Sequence, residues 1–179
     1  EIGMMDQAHH DSIFHSHFVD EMQLVWAFLE HAQAHLAGHR RLPANGRDFL
    51  CRPFVTIGSR SIEGENPLYL PQAKVYQGCA SVGPCILIQE EMLEDSTQIR
   101  LEILRNGKTE ASGETTLAQM KRKPQELADW LFRANTFPIG CLMMTGTGIV
   151  PDNFTLQAGD VVKITIEGIG TLENKVAKI

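Results

Sequence analysis

The residues from Arg60 to Lys74 bring together charged and polar side chains of the kind that hold a ligand in a binding site. These side chains belong to Arg60, Glu63, Glu65, Gln72 and Lys74. Pro67 and Pro71 each fix their own φ angle and favour an extended residue before them, so the segment cannot be one continuous helix. We predict a shaped loop, extended at Asn66 and Leu70, that presents polar groups to a ligand. A solvated charged turn is the alternative interpretation.

The histidines form a second group of candidate ligands, because all seven lie between positions 9 and 39. His31 and His35 are one helical turn apart and could reach a single metal ion, as could His15 together with Asp11. No His-Glu-x-x-His pattern accompanies them, and solvent-exposed or substrate-lid positions are the competing interpretation. The sequence therefore leaves the metal ligands unknown.

Helical and strand patterns together predict an α+β fold that is rich in strands. Apolar residues at three- and four-residue steps predict a helix from Ser12 to Gly38, and Pro124 fits the first turn of a second helix that runs to about Ala134. Strands are predicted over 49–57 with a break at Pro53, and over 85–89, 97–104, 108–116, 141–145 and 161–166. Asn106-Gly107 predicts a hairpin turn, and the alternation of residues 99, 101 and 103 predicts one buried face.

Composition restricts the class of protein. The chain has 179 residues, of which 43% are hydrophobic and 21% are charged, as is ordinary for a soluble globular domain. A net charge of −6, with Lys121-Arg-Lys123 as the only basic cluster, argues against nucleic acid as a partner. No apolar run approaches the length of about 18 residues that spans a membrane, and no signal peptide is apparent. We expect a soluble, cytoplasmic protein.

The four cysteines, Cys51, Cys79, Cys85 and Cys141, show no C-x-x-C spacing. Neither a zinc knuckle nor a disulfide framework is indicated. Cys85 and Cys141 lie in apolar stretches and are predicted to be core thiols. Cys79 follows the charged segment and is a candidate reactive thiol.

Several motifs follow one another in an order typical of a known family. They are Glu65-Asn-Pro-Leu-Tyr-Leu-Pro-Gln-Ala-Lys-Val-Tyr76, Gly83-Pro84, Met120-Lys-Arg-Lys123, Thr145-Gly-Thr-Gly-Ile-Val-Pro151 and the stretch 159–174. Together they resemble the C-terminal half of the fumarylacetoacetate hydrolase family, and most closely its 2-keto-3-deoxy-sugar-acid (arabinonate) dehydratase branch. The resemblance implies a catalytic domain with a mixed β-roll over 56–179, preceded by an unmatched helical segment over 1–55.

The resemblance also implies an enzyme that acts on a small-molecule 2-oxo acid and forms a homodimer or higher homo-oligomer. A divalent cation, magnesium or else manganese or calcium, stabilises an enolate in such enzymes. Position by position, Lys74 is implied to be the catalytic lysine that holds the developing oxyanion. Substrate contacts are implied for Arg60, Glu63, Gln72, Thr145, Gly146 and Thr147. A surface lysine and a plain glycine turn are the structural alternatives.

The chain departs from the family where metal ligands are expected. The family supplies a Glu-x-Glu pair and an aspartate just before the arginine, whereas here Gly58 runs directly into Ser59 and Arg60. A hard cation needs about three such carboxylates. Either the chain is a degenerate or truncated relative, or about four residues are missing after Gly58. We favour missing residues, because a true deletion would disrupt the strand register.

Three functions follow from these observations. The leading hypothesis is a magnesium-dependent lyase that dehydrates a 2-keto-3-deoxy sugar acid. The second is a C–C hydrolase of an acylpyruvate or fumarylacetoacetate-like substrate. The third is a catalytically silent binding domain that has lost the metal site.

Overall fold

The computed structural model describes residues 12–16, 21–24, 27–30, 49–52, 54–58, 60–75, 78–89, 92–137, 141–146, 148–151 and 154–178. The strands are β1 (Ser12–Ser16), β2 (Glu21–Leu24), β3 (Ala27–Glu30), β4 (Phe49–Arg52), β5 (Phe54–Gly58), β6 (Ala80–Val82), β7 (Leu87–Gln89), β8 (Gln98–Arg105), β9 (Lys108–Thr116), β10 (Met143–Met144), β11 (Val161–Ile166) and β12 (Gly170–Lys178). The helices are α1 (Arg60–Glu65), α2 (Leu70–Lys74) and α3 (Pro124–Phe132), with 3-10 turns at Pro67–Tyr69 and Leu117–Gln119. None of these helices has the length and apolar character needed to cross a membrane.

The described strands form three sheets. The largest has the order β1-β12-β11-β8-β9, a second has the order β10-β3-β4-β7, and the third has the order β2-β5-β6. Neighbouring strands are antiparallel except for β1 and β12, which are parallel. The predicted strand-rich α+β class is confirmed.

The main core lies on one face of the largest sheet. Alternate residues of β8, β11 and β12 point into it, and Leu117, Ile149 and Leu156 cover them. The buried strand residues are Ile99, Leu101, Ile103, Val162, Ile164, Ile166, Leu172 and Val176. The opposite face carries exposed ion pairs such as Arg100–Glu114 at 2.7 Å. This two-residue alternation is what a half-buried antiparallel sheet requires, and the predicted buried face of β8 is confirmed.

Local sequence signals located several elements correctly. Asn106 and Gly107 have φ angles of 52° and 76°, which suit the tight hairpin between β8 and β9. The strand predicted over 49–57 is divided into β4 and β5 on either side of Pro53. Helix α3 begins at Pro124 as predicted, and the basic residues before it are exposed. Strand β12 was not predicted, because buried Asn174 interrupts its apolar alternation.

The helix predicted from Ser12 to Gly38 is wrong for the residues described there, which form β1, β2 and β3. Ile13 lies beside Lys175 of β12, and Met22 lies opposite Ile57 of β5. Hydrogen bonding to these distant strands outweighs a local helical periodicity, as tertiary context commonly does. Residues 31–38 lie outside the described part. The division of the chain at residue 55 stays a prediction.

The ion pair between Arg105 and buried Asp160 links β8 to the turn that precedes β11. Arg105 donates from Nε and Nη2 to the two carboxylate oxygens of Asp160, each at 2.8 Å. Arg105 Nη2 also donates to the carbonyl of Thr155 at 3.1 Å, and the backbone N–H of Gln157 donates to Asp160 Oδ2 at 2.8 Å. The carboxylate is only 1% exposed, so these donors replace the water that burial removes.

The pKa of Asp160 is lowered by this environment. Burial acts to raise the pKa, but the hydrogen bonds from Arg105 and from the Gln157 backbone, together with the charge of Arg105, outweigh it. The Asp160 carboxylate therefore binds a proton less readily in the folded state than in the unfolded chain. Folding stability from Asp160 is present above the ordinary aspartate pKa and is lost as the pH falls towards the lowered value.

We predict that Asp160→Asn lowers the free energy of unfolding at pH 7 by about 2 kcal/mol, because it removes a buried charge that the fold pairs and hydrogen-bonds. Urea unfolding at stepped pH measures the effect. The difference from the parent protein should be constant above about pH 5 and shrink below about pH 4, where the unfolded aspartate takes up a proton.

Glu114→Gln is the matched control, because Glu114 pairs with Arg100 of β8 at 2.7 Å but is 61% exposed. It should cost under about 1 kcal/mol. If Asp160→Asn and Glu114→Gln lose equal free energy of unfolding, the buried pair does not contribute more than the exposed one.

The segment after β10 is held against β9 by a close contact. A Cβ atom on Gly113 would lie 2.5 Å from Cγ2 of buried Ile149, and one on Gly148 would lie 3.0 Å from Oγ1 of Thr115. Each glycine therefore lets a side chain of the other segment lie directly against its backbone. The contact therefore holds Gly148 and Ile149 against β9.

We predict that Gly113→Ala destabilises the protein by about 1–3 kcal/mol, since Ile149 must move to admit the methyl group. Gly64→Ala is the control, because no described atom beyond the chain neighbours and backbone of helix α1 lies within 4 Å of the Cβ position at Gly64. This control should be neutral or slightly stabilising. Thermal unfolding of the two variants compares them, and a Gly113→Ala protein as stable as the parent would refute the packing argument.

Candidate functional site

The segment from Arg60 to Lys74 folds as short helical turns and not as the predicted loop. Helix α1 ends at Glu65, and Asn66 is extended with φ −159° and ψ 133°. Its side-chain Oδ1 accepts a hydrogen bond from the N–H of Leu68 at 2.9 Å and so caps the next turn. The predicted break at Asn66 is confirmed.

The prediction that Leu70 is extended is wrong. Leu70 has φ −53° and ψ −45° and is the first residue of helix α2. Pro71 occupies the first turn of that helix, where a missing N–H leaves no hydrogen bond unmade. Both prolines therefore lie at the start of helical turns, and the residue before them is extended at Asn66 but helical at Leu70.

Lys74 is the last residue of α2, and its side chain turns inward. The side chain is 20% exposed, and its Nζ atom is buried and lies 3.4 Å from Oε2 of Glu63 in α1. The contact has the distance of an ion pair without the alignment of a hydrogen bond, and Nζ makes no hydrogen bond to the residues that the structure describes. A buried ammonium of this kind has donors available for a ligand.

Gly58, at the end of β5, supports the Lys74 side chain. A Cβ atom at Gly58 would lie 2.8 Å from the carbonyl oxygen of Ala73, 3.1 Å from Cδ of Lys74 and 3.3 Å from its Nζ. Only a glycine leaves this space, so the Lys74 side chain lies directly against the backbone of Gly58. Sequence reasoning missed Gly58. Its signal was a glycine that ends a predicted strand just before the charged segment.

The thiol of Cys79 contacts the backbone of Lys74. Cys79 Sγ donates to the carbonyl oxygen of Lys74 at 3.2 Å, and the cysteine is half-buried. The reactivity proposed for Cys79 stays a prediction.

Of the two predicted core thiols, Cys85 is exposed and that prediction is wrong, because the residue lies in a loop beside the β11–β12 turn. Cys141 is half-buried, and burial raises the pKa of its thiol.

The remaining predicted site residues are placed as follows. Gln72 is exposed on α2, and Arg60 is the first residue of α1. Thr145 and Gly146 follow β10, where Gly146 has φ 106° and open space at its Cβ position. Thr147 lies outside the described residues. Convergence of this turn with the Lys74 segment into one pocket stays a prediction.

A metal site is not found in the described ranges, which contain no group of three or more His, Cys, Asp and Glu residues able to hold an ion. Glu63 faces Lys74, and Glu65 is exposed. The side chains that the structure describes therefore do not by themselves form a magnesium site. His31, His35 and Ser59 lie outside them, so the histidine hypothesis and the proposed break after Gly58 both stay predictions.

Comparison with known sequences identifies relatives among sugar-acid dehydratases. The chain is 48% identical to a probable 2-keto-3-deoxyxylonate dehydratase of Haloferax volcanii over 126 residues, covering 69% of this chain and 43% of that protein. It is 40% identical to the 2-dehydro-3-deoxy-D-arabinonate dehydratase of Saccharolobus solfataricus over 139 residues, covering 76% of this chain and 47% of that protein. The chain thus spans about half the length of the curated relatives it matches.

Solved structures confirm the predicted fold type. A 2-keto-3-deoxy-D-arabinonate dehydratase complexed with magnesium and 2,5-dioxopentanoate superposes with a TM-score of 0.78 at 31% identity, covering 95% of this chain and 58% of the other. A structure named Cg1458 superposes with a TM-score of 0.70 at 18% identity, which shows the shared fold alone.

The sequence model of the fumarylacetoacetate (FAA) hydrolase C-terminal domain matches residues 55–177, which is more than half of the chain. This match agrees with the motifs and with the superposed structures, and it includes both the Lys74 segment and the glycine turn after β10. The chain belongs to the fumarylacetoacetate hydrolase family.

Proposed function

We propose that the protein to which this chain belongs is a lyase that dehydrates a 2-keto-3-deoxy sugar acid, with Lys74 as a catalytic residue. The observation that carries the proposal is the buried ammonium of Lys74, which has donors available and lies within a segment shared with named dehydratases. The names of two relatives, at 48% and 40% identity, support the substrate class.

The chemistry explains why a buried lysine is useful. Dehydration of a 2-oxo acid removes a proton from C3, and the electron pair moves towards the keto group, which becomes an enolate oxyanion. The electron pair of the enolate then forms a C3–C4 double bond as the C4–O bond breaks. The departing hydroxide takes up one proton, so the proton lost from C3 and the hydroxyl lost from C4 are balanced by one molecule of water. An ammonium held close to the keto oxygen gains interaction energy as negative charge builds there, so it stabilises the transition state more than the substrate.

Other predicted residues complete the proposed binding site. Arg60 and Gln72 lie on α1 and α2 of the Lys74 segment, and the turn at Thr145 to Thr147 would bring backbone N–H groups to a substrate carboxylate. The open space at Gly146 is suited to such an approach. We propose the substrate contacts on this basis.

We also propose that the enzyme uses magnesium, supported by the magnesium in one superposed dehydratase. A magnesium ion bound by this chain would need ligands outside the described residues, so we assign no step through it. We further propose a cytoplasmic homo-oligomer. Leu68 and Val75, which are 82% and 75% exposed, are apolar side chains suited to contact another copy.

We predict that Lys74→Met lowers kcat for a 2-keto-3-deoxy sugar acid by about 10²–10³, because it keeps the apolar length of the side chain and removes the charge. Product analysis by mass spectrometry separates loss of water from C–C cleavage. Lys123→Met, which alters an exposed lysine, is the control and should retain activity. A Lys74→Met protein as active as the parent would remove Lys74 from the mechanism.

We predict that oxalate, a mimic of the pyruvate enolate, binds the full chain in the presence of magnesium and binds Lys74→Met about tenfold more weakly. Isothermal titration calorimetry with and without magnesium measures both constants. Binding that is unaffected by magnesium would reject the metal requirement. No binding under either condition would favour a catalytically silent domain.

A further inference from the structure

Glu63, predicted to contact substrate, lies beside the side chain of Lys74. Its carboxylate lies 3.4 Å from Nζ of Lys74, and both side chains are mostly buried, at 29% and 20% exposure. A carboxylate placed directly against an anionic 2-oxo acid would repel it. The observed partner of Glu63 is instead the cation that the substrate would need.

We infer that Glu63 is a positioning residue for Lys74, and that Gly58 provides the space in which the lysine side chain is held. The inference rests on the proposed function for the importance of Lys74 in catalysis. Its structural part, the restraint of Lys74 by Glu63 and Gly58, stands on the described contacts alone.

The ion pair compensates the cost of burying the ammonium. An uncompensated buried charge is strongly unfavourable, and pairing with a carboxylate reduces that penalty. The contact has ion-pair distance but is not aligned as a hydrogen bond. Glu63 therefore supplies negative charge to a buried ammonium whose N–H groups make no hydrogen bond to the described residues.

The same contacts order the lysine before a ligand arrives. A lysine side chain loses considerable rotamer freedom when it is fixed. Here the carbonyl of Lys74 accepts from Cys79 at 3.2 Å, the alkyl chain lies across Gly58, and the ammonium faces Glu63. A catalytic group that is already fixed does not have to be ordered during the reaction.

The first test measures the position of Lys74 without any substrate. The full chain is reductively methylated with formaldehyde and cyanoborohydride, and modification at each lysine is followed by peptide mass spectrometry. Lys74 should react about tenfold more slowly than Lys123, whose side chain is 72% exposed. In Glu63→Gln and in Gly58→Ala, Lys74 should react about fivefold faster than in the parent protein.

Two controls keep this test decisive. Glu65→Gln changes an exposed carboxylate in the same helix and should leave the Lys74 rate unchanged. Lys163 of β11, which is 33% exposed, reports whether a variant has kept its fold. If Gly58→Ala unfolds, Glu63→Gln and Glu63→Asp decide the question. An unchanged Lys74 rate in a folded Glu63→Gln protein overturns the inference.

The second test separates positioning from substrate contact. With a 2-keto-3-deoxy sugar acid, Glu63→Gln should lower kcat about tenfold while KM changes less than about twofold, and Glu63→Asp should recover part of kcat. A raised KM with unchanged kcat would instead make Glu63 a substrate contact and overturn the inference. If the parent is inactive but the labelling result holds, the positioning stands and the proposed function fails.

Discussion

The paired hydrogen bonds between Arg105 and Asp160 join the end of β8 to the turn before β11 in the largest sheet, which carries the main core. Arg105 ends β8, while Asp160 immediately precedes β11. The Asp160 backbone also bonds to Val176 of β12, where the Val176 N–H donates to the Asp160 carbonyl at 2.8 Å. One aspartate therefore sets the relation of three strands through its side chain and its backbone. A planar guanidinium suits this position because its two parallel donors fix orientation as well as distance.

The candidate site depends on a different construction, in which short helical turns are folded back on the end of a strand. No hydrophobic residue of α1 or of the turn at Pro67–Tyr69 is among the buried core residues, and Ala73 is the buried residue of α2. The prolines and the Asn66 cap shape these turns locally, because helices this short have little stability of their own. Lys74 thus combines a locally defined backbone with a side chain restrained by Gly58 and Glu63.

Sequence information was sufficient where the structure is local. The β8–β9 hairpin follows from an Asn-Gly turn between alternating strands, and the start of α3 follows from Pro124. It was insufficient where distant pairing decides the conformation. The stretch 12–30 carries a helical periodicity, yet its described residues form strands because β5, β4 and β12 offer hydrogen-bonding partners. Similarly, the motif identified Lys74 as a site residue. The contact of Gly58 with Lys74 could not be predicted, because it forms only when α2 packs against β5.

The parallel pairing of β1 with β12 has a consequence for how the protein is made. Residues near the start of this chain obtain their partners from the stretch 174–178 near its other end. During synthesis, β1 must therefore wait until β12 has left the ribosome before these strands can pair. Closing so large a loop is a slow step with a large entropic barrier. An unpaired β1 is exposed to chaperones, or to neighbouring nascent chains, throughout that interval.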